Sequence, residues 1–399
     1  MLSVDEAKAE ILSKAKLSVG TETINLFEAL NRRLAEDMYS PIDVPPADNS
    51  AMDGIAVFTG DCQPGQNFLI LSQRIAAGDK TKALAAGTAA RIFTGAEIPE
   101  GADAVEIQEN CTFIAKGDSV EFRGAPETGQ NIRSKGQDIQ SGSLVLSKGT
   151  ALRSQELGLL ASIGIGQIAV FKKLRVGVFS TGDELVQPGI LLQPGQIYNS
   201  NRYSLAGLIQ EAGCDFVDLG TVSDSLEATI QLLKDRSPEV AVLISSGGVS
   251  VGEEDHVKPA VEACGSLSLW KIAVKPGKPL AVGQVGDTAF FGLPGNPVSG
   301  FATFLLFVKP FLRVLGGGDA EPLNWLKVPA EFERKAPKRE EYLRVRLTAG
   351  ENTGRAELFP NQSSGVLSSV SWGSGLIRQK VGQHISKDSL VDYLPFNEF

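Results

Sequence analysis

Three stretches hold most of the side chains that could do chemistry: SSGGVSVG at residues 245–252, KPGKP at 275–279 and LPGNPVS at 293–299. The first follows an apolar run, Val240 to Ile244, and a glycine-rich loop in that position presents backbone N–H groups to phosphate or another anion. Ser246, Gly247, Gly248 and Ser250 are its candidate contacts, with a ligand-free glycine turn as the alternative. No Gly-Lys-Ser/Thr follows, so this is not a Walker A loop and generic nucleotide hydrolysis is disfavoured. In KPGKP, the ammonium groups of Lys275 and Lys278 stand on a loop from which the prolines exclude helix. Lysines held rigidly suit a phosphate better than they suit open solvent. In the third stretch Pro294 precedes Asn296 and Pro297, an N-cap and a first helical residue. The helix N-terminus they start would offer free N–H groups to an anion, unless it is simply a well-capped core helix.

Carboxylates stand beside these groups. Ser180-Thr181-Gly182-Asp183-Glu184 follows the apolar run Val176 to Phe179, and Glu253-Glu254-Asp255 follows the glycine loop. Glu184, Asp255 and Asp224 would supply hard oxygen ligands, and carboxylates beside phosphates usually mean magnesium. With only two histidines, His256 and His384, and four scattered cysteines without ligand spacing, a zinc site or a Ser-His-Asp triad is disfavoured. The cysteines read as free buried thiols. A formal net charge of −9 argues against nucleic acid as a partner.

The elements that must position these groups change along the 399 residues. Ser3 and Glu6 read as a capping box opening an amphipathic helix, and Leu26 to Met38 reads as a second helix. VPPADNSAMDG, residues 44–54, is too apolar at its start and too rich in turn residues after it to be one regular element. From Gly54 to about Asp138, short apolar runs broken by glycines form a β-rich unit, inserted into a segment that resumes near Gln140 with a strand at Ser143 to Leu146 and a helix from Ser154. From Leu174 to Leu315, buried strand runs alternate with helices at Ser204 to Glu211 and Leu226 to Leu233. That order implies a parallel sheet covered on both faces. In such a sheet ligands sit beyond the carboxyl ends of the strands, where the motifs above fall. After Pro322 strands alone are expected, including Tyr342 to Leu347, Gly365 to Val370 and Leu390 to Leu394, in a compact β-domain. No secretory h-region opens the chain and the longest apolar run, Phe301 to Val308, is short, so cytoplasm is the expected compartment and no membrane partner is expected.

Taken in order, PPADNSAMDG, RIFTGAEIPEGADAV, NIRSKGQD, STGDEL, GQIYNSN, SSGGVSVG, KPGKP and LPGNPVS resemble the molybdopterin molybdenumtransferase family, which includes bacterial MoeA and the E domain of gephyrin. The resemblance implies a multidomain α/β plus β subunit, elongated and dimeric. Its parts would be a discontinuous helical domain (1–45 and 140–171), an inserted β-rich domain (46–139), a MogA-like α/β domain (172–320) and a C-terminal β-barrel (321–399). It implies that adenylated molybdopterin and molybdate are the substrates, that AMP is released with Mg2+ assisting, and that a MogA-like adenylyltransferase is a transient partner. The family's roles fall on Asp53, Thr94, Arg133, Asp138, Glu184, Asp224, Asp255, Lys275, Lys278, Pro294 and Pro297, with Arg344 and Ser364 as molybdate or substrate contacts. Residues 44–54 would be the rigid connection delivering Asp53 into a cleft whose other wall, in the family, comes from the partner subunit. The chain departs from the family's usual pattern at Asn199, where Asp is common, at Glu253, and at Ser374. Two other readings share the resemblance: a paralogue inserting tungstate, and a gephyrin-like scaffold.

Overall fold

The runs read as buried strands form the centre of a six-stranded sheet in the computed structural model, which describes residues 2–114, 117–249, 255–320, 322–348 and 354–398. The chain divides into two compact units: one contains Met1–Thr23, Asn31–Ala35 and Ala169–Phe399, the other Ile24–Leu30 and Glu36–Ile168.

In the first unit the sheet order is Asp215–Val222, Arg175–Thr181, Val242–Ser246, Thr288–Leu293, Pro279–Val285, Gly265–Lys271. The first four strands are parallel and the last two antiparallel. Every residue of Val242–Ser246 is buried, as expected for a central strand covered on both faces. One face packs Val176, Ile244 and Phe291 against helical residues from Leu205 to Ile209 and Phe304 to Leu315, and the other packs Phe179, Leu243 and Phe290 against Leu233, Val257 and Val261. From Arg175–Thr181 the chain crosses to Asp215–Val222 on one side, then returns to Val242–Ser246 on the other. A crevice therefore opens at the carboxyl ends of those two neighbours.

The opening helix, Val4–Ser13, has both halves of its capping box: Ser3 Oγ accepts from Glu6 N–H, and Glu6 Oε2 accepts from Ser3 N–H at 2.8 Å. Asn296 and Pro297 start a helix that runs to Leu315 through a π-helical stretch, Phe304–Val308. Pro310 has no N–H to continue the regular ladder, and the wider turn just before it accommodates that loss. At nineteen residues this helix is longer and more apolar than the sequence reading allowed, enough to cross a bilayer, yet most of it is buried inside the first unit.

The last strands close on themselves. Glu340–Thr348 pairs with Arg355–Leu358 on one side and Gly375–Gln379 on the other, followed by Leu390–Pro395 and Leu326–Pro329. A bridge between Ala330 and Ala356 joins the two ends, producing the expected barrel. Gly365 to Val370 is not one of its strands. Ser368–Trp372 is instead a short helix, in which Ser369 Oγ caps back onto the Val366 carbonyl at 2.6 Å.

The second unit holds another six-stranded sheet, ordered Ala104–Ile107, Gly54–Val57, Thr88–Ile92, Gln66–Ile75, Ser119–Arg123, Cys111–Ile114. The helix expected over Leu26 to Met38 does not form. Leu26–Glu28 is a single 3-10 turn capped by Asn25, and Asn31 adopts φ 62°, a left-handed conformation that ends any helix there. The leucines at helical spacing misled because Leu30 is half exposed rather than on a buried face.

Phe291 is fully buried, with its ring edge-to-face against Phe311 at 5.0 Å. Phe291→Ala is expected to destabilise the first unit by about 3–5 kcal/mol, read as a lowered urea midpoint.

Candidate active site

A cleft of about 980 Å³ opens where the topology places it, lined by Thr181, Ser246, Gly247 and Gly248 from the two central strand ends and by Pro294 to Pro297 from the third. Its floor is backbone because side chains have no room. A Cβ on Gly248 would lie 2.3 Å from Val257 and 2.9 Å from Thr181 Oγ1, and Gly248 has φ +71°. Gly182, at φ +132°, lies under the Glu184 carboxylate, whose Oε2 would be 2.4 Å from a Cβ there, so only glycine lets Glu184 fold over the turn. Asn296 begins its helix by backbone geometry alone, leaving its amide free of a capping bond. Ser250 and Glu253 lie outside the described residues.

The lysine loop forms the next wall. Lys275 is in the short strand Val274–Lys275, which pairs in parallel with the barrel strand, Lys275 opposite Glu341. Its ammonium lies 3.0 Å from Glu341 Oε1, while Arg334 holds Oε2 at 2.6 Å. Burial alone would raise the Glu341 pKa, but the bonds from Arg334 and Lys275 outweigh it and hold the carboxyl below its usual range. Lys278 is exposed, and Gly277 between the lysines is packed so closely that a Cβ would sit 2.5 Å from Thr303 Oγ1. Lys275, Lys278, Pro294, Pro297, Ser246, Gly247, Gly248, Glu184 and Ser364 thus all line one cleft.

Arg344 does not line it. The side chain is 1% exposed and donates to Ser369 Oγ at 3.1 Å and the Ser363 carbonyl at 3.0 Å, and burial, with the like charge of Arg334, pushes its pKa down to about 10. It therefore supports the loop carrying Ser364, whose carbonyl accepts from Val298 N–H at 3.0 Å. Among the lining residues that the sequence reading did not single out are Arg339 and Asn201. Arg339 sits in a basic loop that reads as solvated surface. Asn201 was within a quoted motif, and its amide ties Ser246 Oγ at 3.0 Å to the Gly295 carbonyl at 2.7 Å. Asn199 is consumed structurally, capping the helix Ser200–Glu211 and donating to Ser180 Oγ at 3.0 Å.

The expected magnesium trio is not assembled. Glu184 lines the cleft, but Asp224 lies beyond the edge strand Asp215–Val222, and Asp255, with both carboxylate oxygens buried, precedes the helix Val257–Cys264. Among the described residues no three carboxylate, histidine or cysteine side chains converge as a metal site. The described residues therefore show no set that would hold the ion, and no step is routed through it.

Asp53 and Thr94 meet in the second unit: Asp53 Oδ1 accepts from Thr94 N–H at 2.8 Å and Thr94 Oγ1 at 2.7 Å. These bonds, the backbone one foremost, hold the Asp53 carboxyl below its usual range, with Arg91 adding to the effect. The 44–54 connection is stitched along both sides. Ser50 N–H donates to the Ala96 carbonyl at 2.9 Å, Gly95 N–H to Ser50 O at 2.8 Å, Ala51 N–H to Asn131 O at 2.8 Å and Lys135 N–H to Asp48 Oδ1 at 2.7 Å. Arg133 pairs with Asn49 across a two-residue ladder, and Asp138 N–H donates to Val44 O at 3.0 Å; both side chains are exposed.

A parallel sheet with a cationic, glycine-floored cleft at its switch point, joined to a barrel, is the architecture of a multidomain α/β plus β protein with a site of the kind that accepts anions. The chain matches the models of the MoeA N-terminal region (domain I and II) over residues 2–164, of a probable molybdopterin binding domain over 177–314, and of the MoeA C-terminal region (domain IV) over 327–396. It is 42% identical over 329 residues to the molybdopterin molybdenumtransferase of Haemophilus influenzae, covering 82% of this chain and 80% of that one. It is 38% identical over 306 residues to its namesake from Nostoc sp., covering 74% and 70%. The crystal structure of the molybdopterin biosynthesis moeA protein from Pyrococcus horikoshii OT3 superposes with a TM-score of 0.85 at 27% identity, covering 99% of this chain and 100% of that one. The chain belongs to the molybdopterin molybdenumtransferase family.

Glu341 has a folded pKa below the usual 4.5, so its contribution to stability is present above that value and is lost as pH falls through the lower folded one. Glu341→Gln is expected to cost about 2 kcal/mol at pH 7. The gap in urea midpoint between wild type and variant should narrow as pH falls below 4.5.

Proposed function

We propose that the protein binds adenylated molybdopterin in the cleft, inserts molybdenum from molybdate at the dithiolene sulfurs and releases AMP. The observation that carries this reading is the convergence of Lys275, Lys278 and Arg339 on a glycine-floored cleft at the sheet's switch point, in a chain of this family. The cleft volume, about 980 Å³, suits a nucleotide-sized ligand. The lysines and Arg339 offset charge as a water oxygen adds to phosphorus and the phosphoanhydride bond breaks, AMP leaving with one phosphate and the pterin keeping the other, and Arg339 adds a planar fork suited to phosphate oxygens. No covalent protein nucleophile is needed. Asp53, kept ionised by Thr94, acts as a fixed negative charge and hydrogen-bond acceptor rather than as an acid.

The finer parts of the reading rest on the family resemblance. They are the four-part division of the subunit, a homodimer in which the partner copy supplies the Asp53 turn to the cleft, a cytoplasmic location, delivery of substrate by a MogA-like adenylyltransferase, and magnesium assistance. Support for the dimer comes from apolar side chains left exposed in the second unit, where Phe27 is 96% exposed and Tyr39 53%.

AMP release from adenylated molybdopterin, measured with and without molybdate and alongside reconstitution of an apo-molybdoenzyme, tests the reading. Molybdate-dependent release coupled to active enzyme is expected; tight binding with neither would overturn it. Asp53→Ala should slow release roughly hundredfold with AMP affinity unchanged, and a wild-type rate would remove Asp53 from the chemistry. Lys278→Ala should weaken AMP binding roughly tenfold by calorimetry, because its ammonium is exposed at the cleft.

A further inference from the structure

The arginine that opens the RIFTGA motif has no part in the reaction as described so far, yet it reaches the backbone on which Asp53 stands. Arg91 lies in the strand Thr88–Ile92, opposite Ile55 of Gly54–Val57. Its Nη1 donates to the Gly54 carbonyl at 3.1 Å and its Nη2 to Gln108 Oε1 at 2.8 Å. Gln108 N–H in turn donates to the Asp53 carbonyl at 2.9 Å. Both carbonyls of the Asp53-Gly54 step are therefore fixed, one by Arg91 directly and the other through the residue that Arg91 holds. The guanidinium is itself clamped, with its carbon 4.2 Å from the Phe113 ring centre and 5.1 Å from that of Phe93. The strand is already paired on both edges, and its packing there admits no side chain, because a Cβ at Gly54 would meet the Glu106 carbonyl oxygen at 1.9 Å.

We infer that Arg91 is a positioning residue: its stacked, forked guanidinium sets the orientation of the Asp53 carboxylate by bridging Gly54 and Gln108. The inference rests on the reading of Asp53 as a participant in molybdenum insertion. A guanidinium is required because two acceptors at different angles must be met at once from between two rings, which a single ammonium does not do. A residue that only packed the sheet would leave the reaction rate alone once the protein had folded.

The test uses the full-length protein, with AMP release in the presence of molybdate as the rate and calorimetry with AMP as the binding readout. Arg91→Gln is expected to lower kcat roughly hundredfold while AMP affinity stays at the wild-type value. Arg91→Lys, which keeps the charge and the aliphatic stem should Arg91→Gln fail to fold, is expected to fall nearly as far. The double variant Asp53→Ala/Arg91→Gln should be no slower than Asp53→Ala alone, since the two residues act as one unit. A wild-type kcat in folded Arg91→Lys, or losses that multiply in the double variant, would overturn the inference while leaving the role of Asp53 intact. A wild-type rate in Asp53→Ala would remove both together.

Discussion

Residues 275–279 belong to two sheets at once, and the cleft depends on that sharing. Val274–Lys275 is a strand of the barrel sheet, and four residues later Pro279–Val285 is a strand of the α/β sheet. A loop fixed at both ends by backbone ladders has little freedom left, and Gly277 wedged against Thr303 removes much of what remains. The cations therefore stand on a frame set by hydrogen bonding elsewhere. The Lys275–Glu341–Arg334 chain extends the same logic to side chains: a buried carboxylate with two cationic partners stays ionised and holds one of them at the edge of the cleft.

The second wall is built the same way, from the barrel inward. Arg344 is too deep to touch a ligand, but its bonds to Ser363 and Ser369, with Gln362 accepting from Arg344 N–H at 3.0 Å, fix the turn that presents Ser364. The Val298 N–H then joins that turn to the start of the core helix. The cations near Glu341, the buried Arg344, the partly buried Arg334 and the exposed Lys275, outnumber the carboxylate, and burying the unbalanced charge of Arg344 beneath a wall is costly unless something offsets it. An anionic ligand bound at that wall would do so, which accords with a phosphorylated substrate.

Much of this was legible in the sequence where a motif was also a packing constraint. The strand ends, the capping box at Ser3, the Asn296-Pro297 helix start and the glycines 247 and 248 were readable because few other residues tolerate those conformations or contacts. Arg339 was not readable, since a basic loop carries no sign of which lysine or arginine turns inward. Arg344 is expected as a contact from the family resemblance alone, and only three-dimensional burial shows that it bonds to the Ser363 carbonyl instead of lining the cleft. The helix assigned to Leu26 to Met38 failed because periodicity reports spacing and not burial, and the left-handed Asn31 outweighed three well-spaced leucines, Leu26, Leu30 and Leu34. The expected magnesium trio is not brought together among the described residues for a related reason. Three carboxylates each following a strand need not share a site when one strand is at the sheet's edge.

The Asp53 turn shows what such framing does to a carboxylate. Both hydrogen bonds from Thr94 fall on Oδ1, which leaves Oδ2 without a protein hydrogen bond among the described residues. A carboxylate with one oxygen pinned and one open is oriented and ionised at the same time. Bonds that favour the charged form make it a weak proton acceptor, so its value lies in where it points and in the charge it carries. A charge used in that way gains from rigidity more than from burial. That is why a turn 44–54 residues into the chain is laced to neighbouring backbone on both sides, and why its one glycine lies where a carbonyl approaches too closely for any side chain.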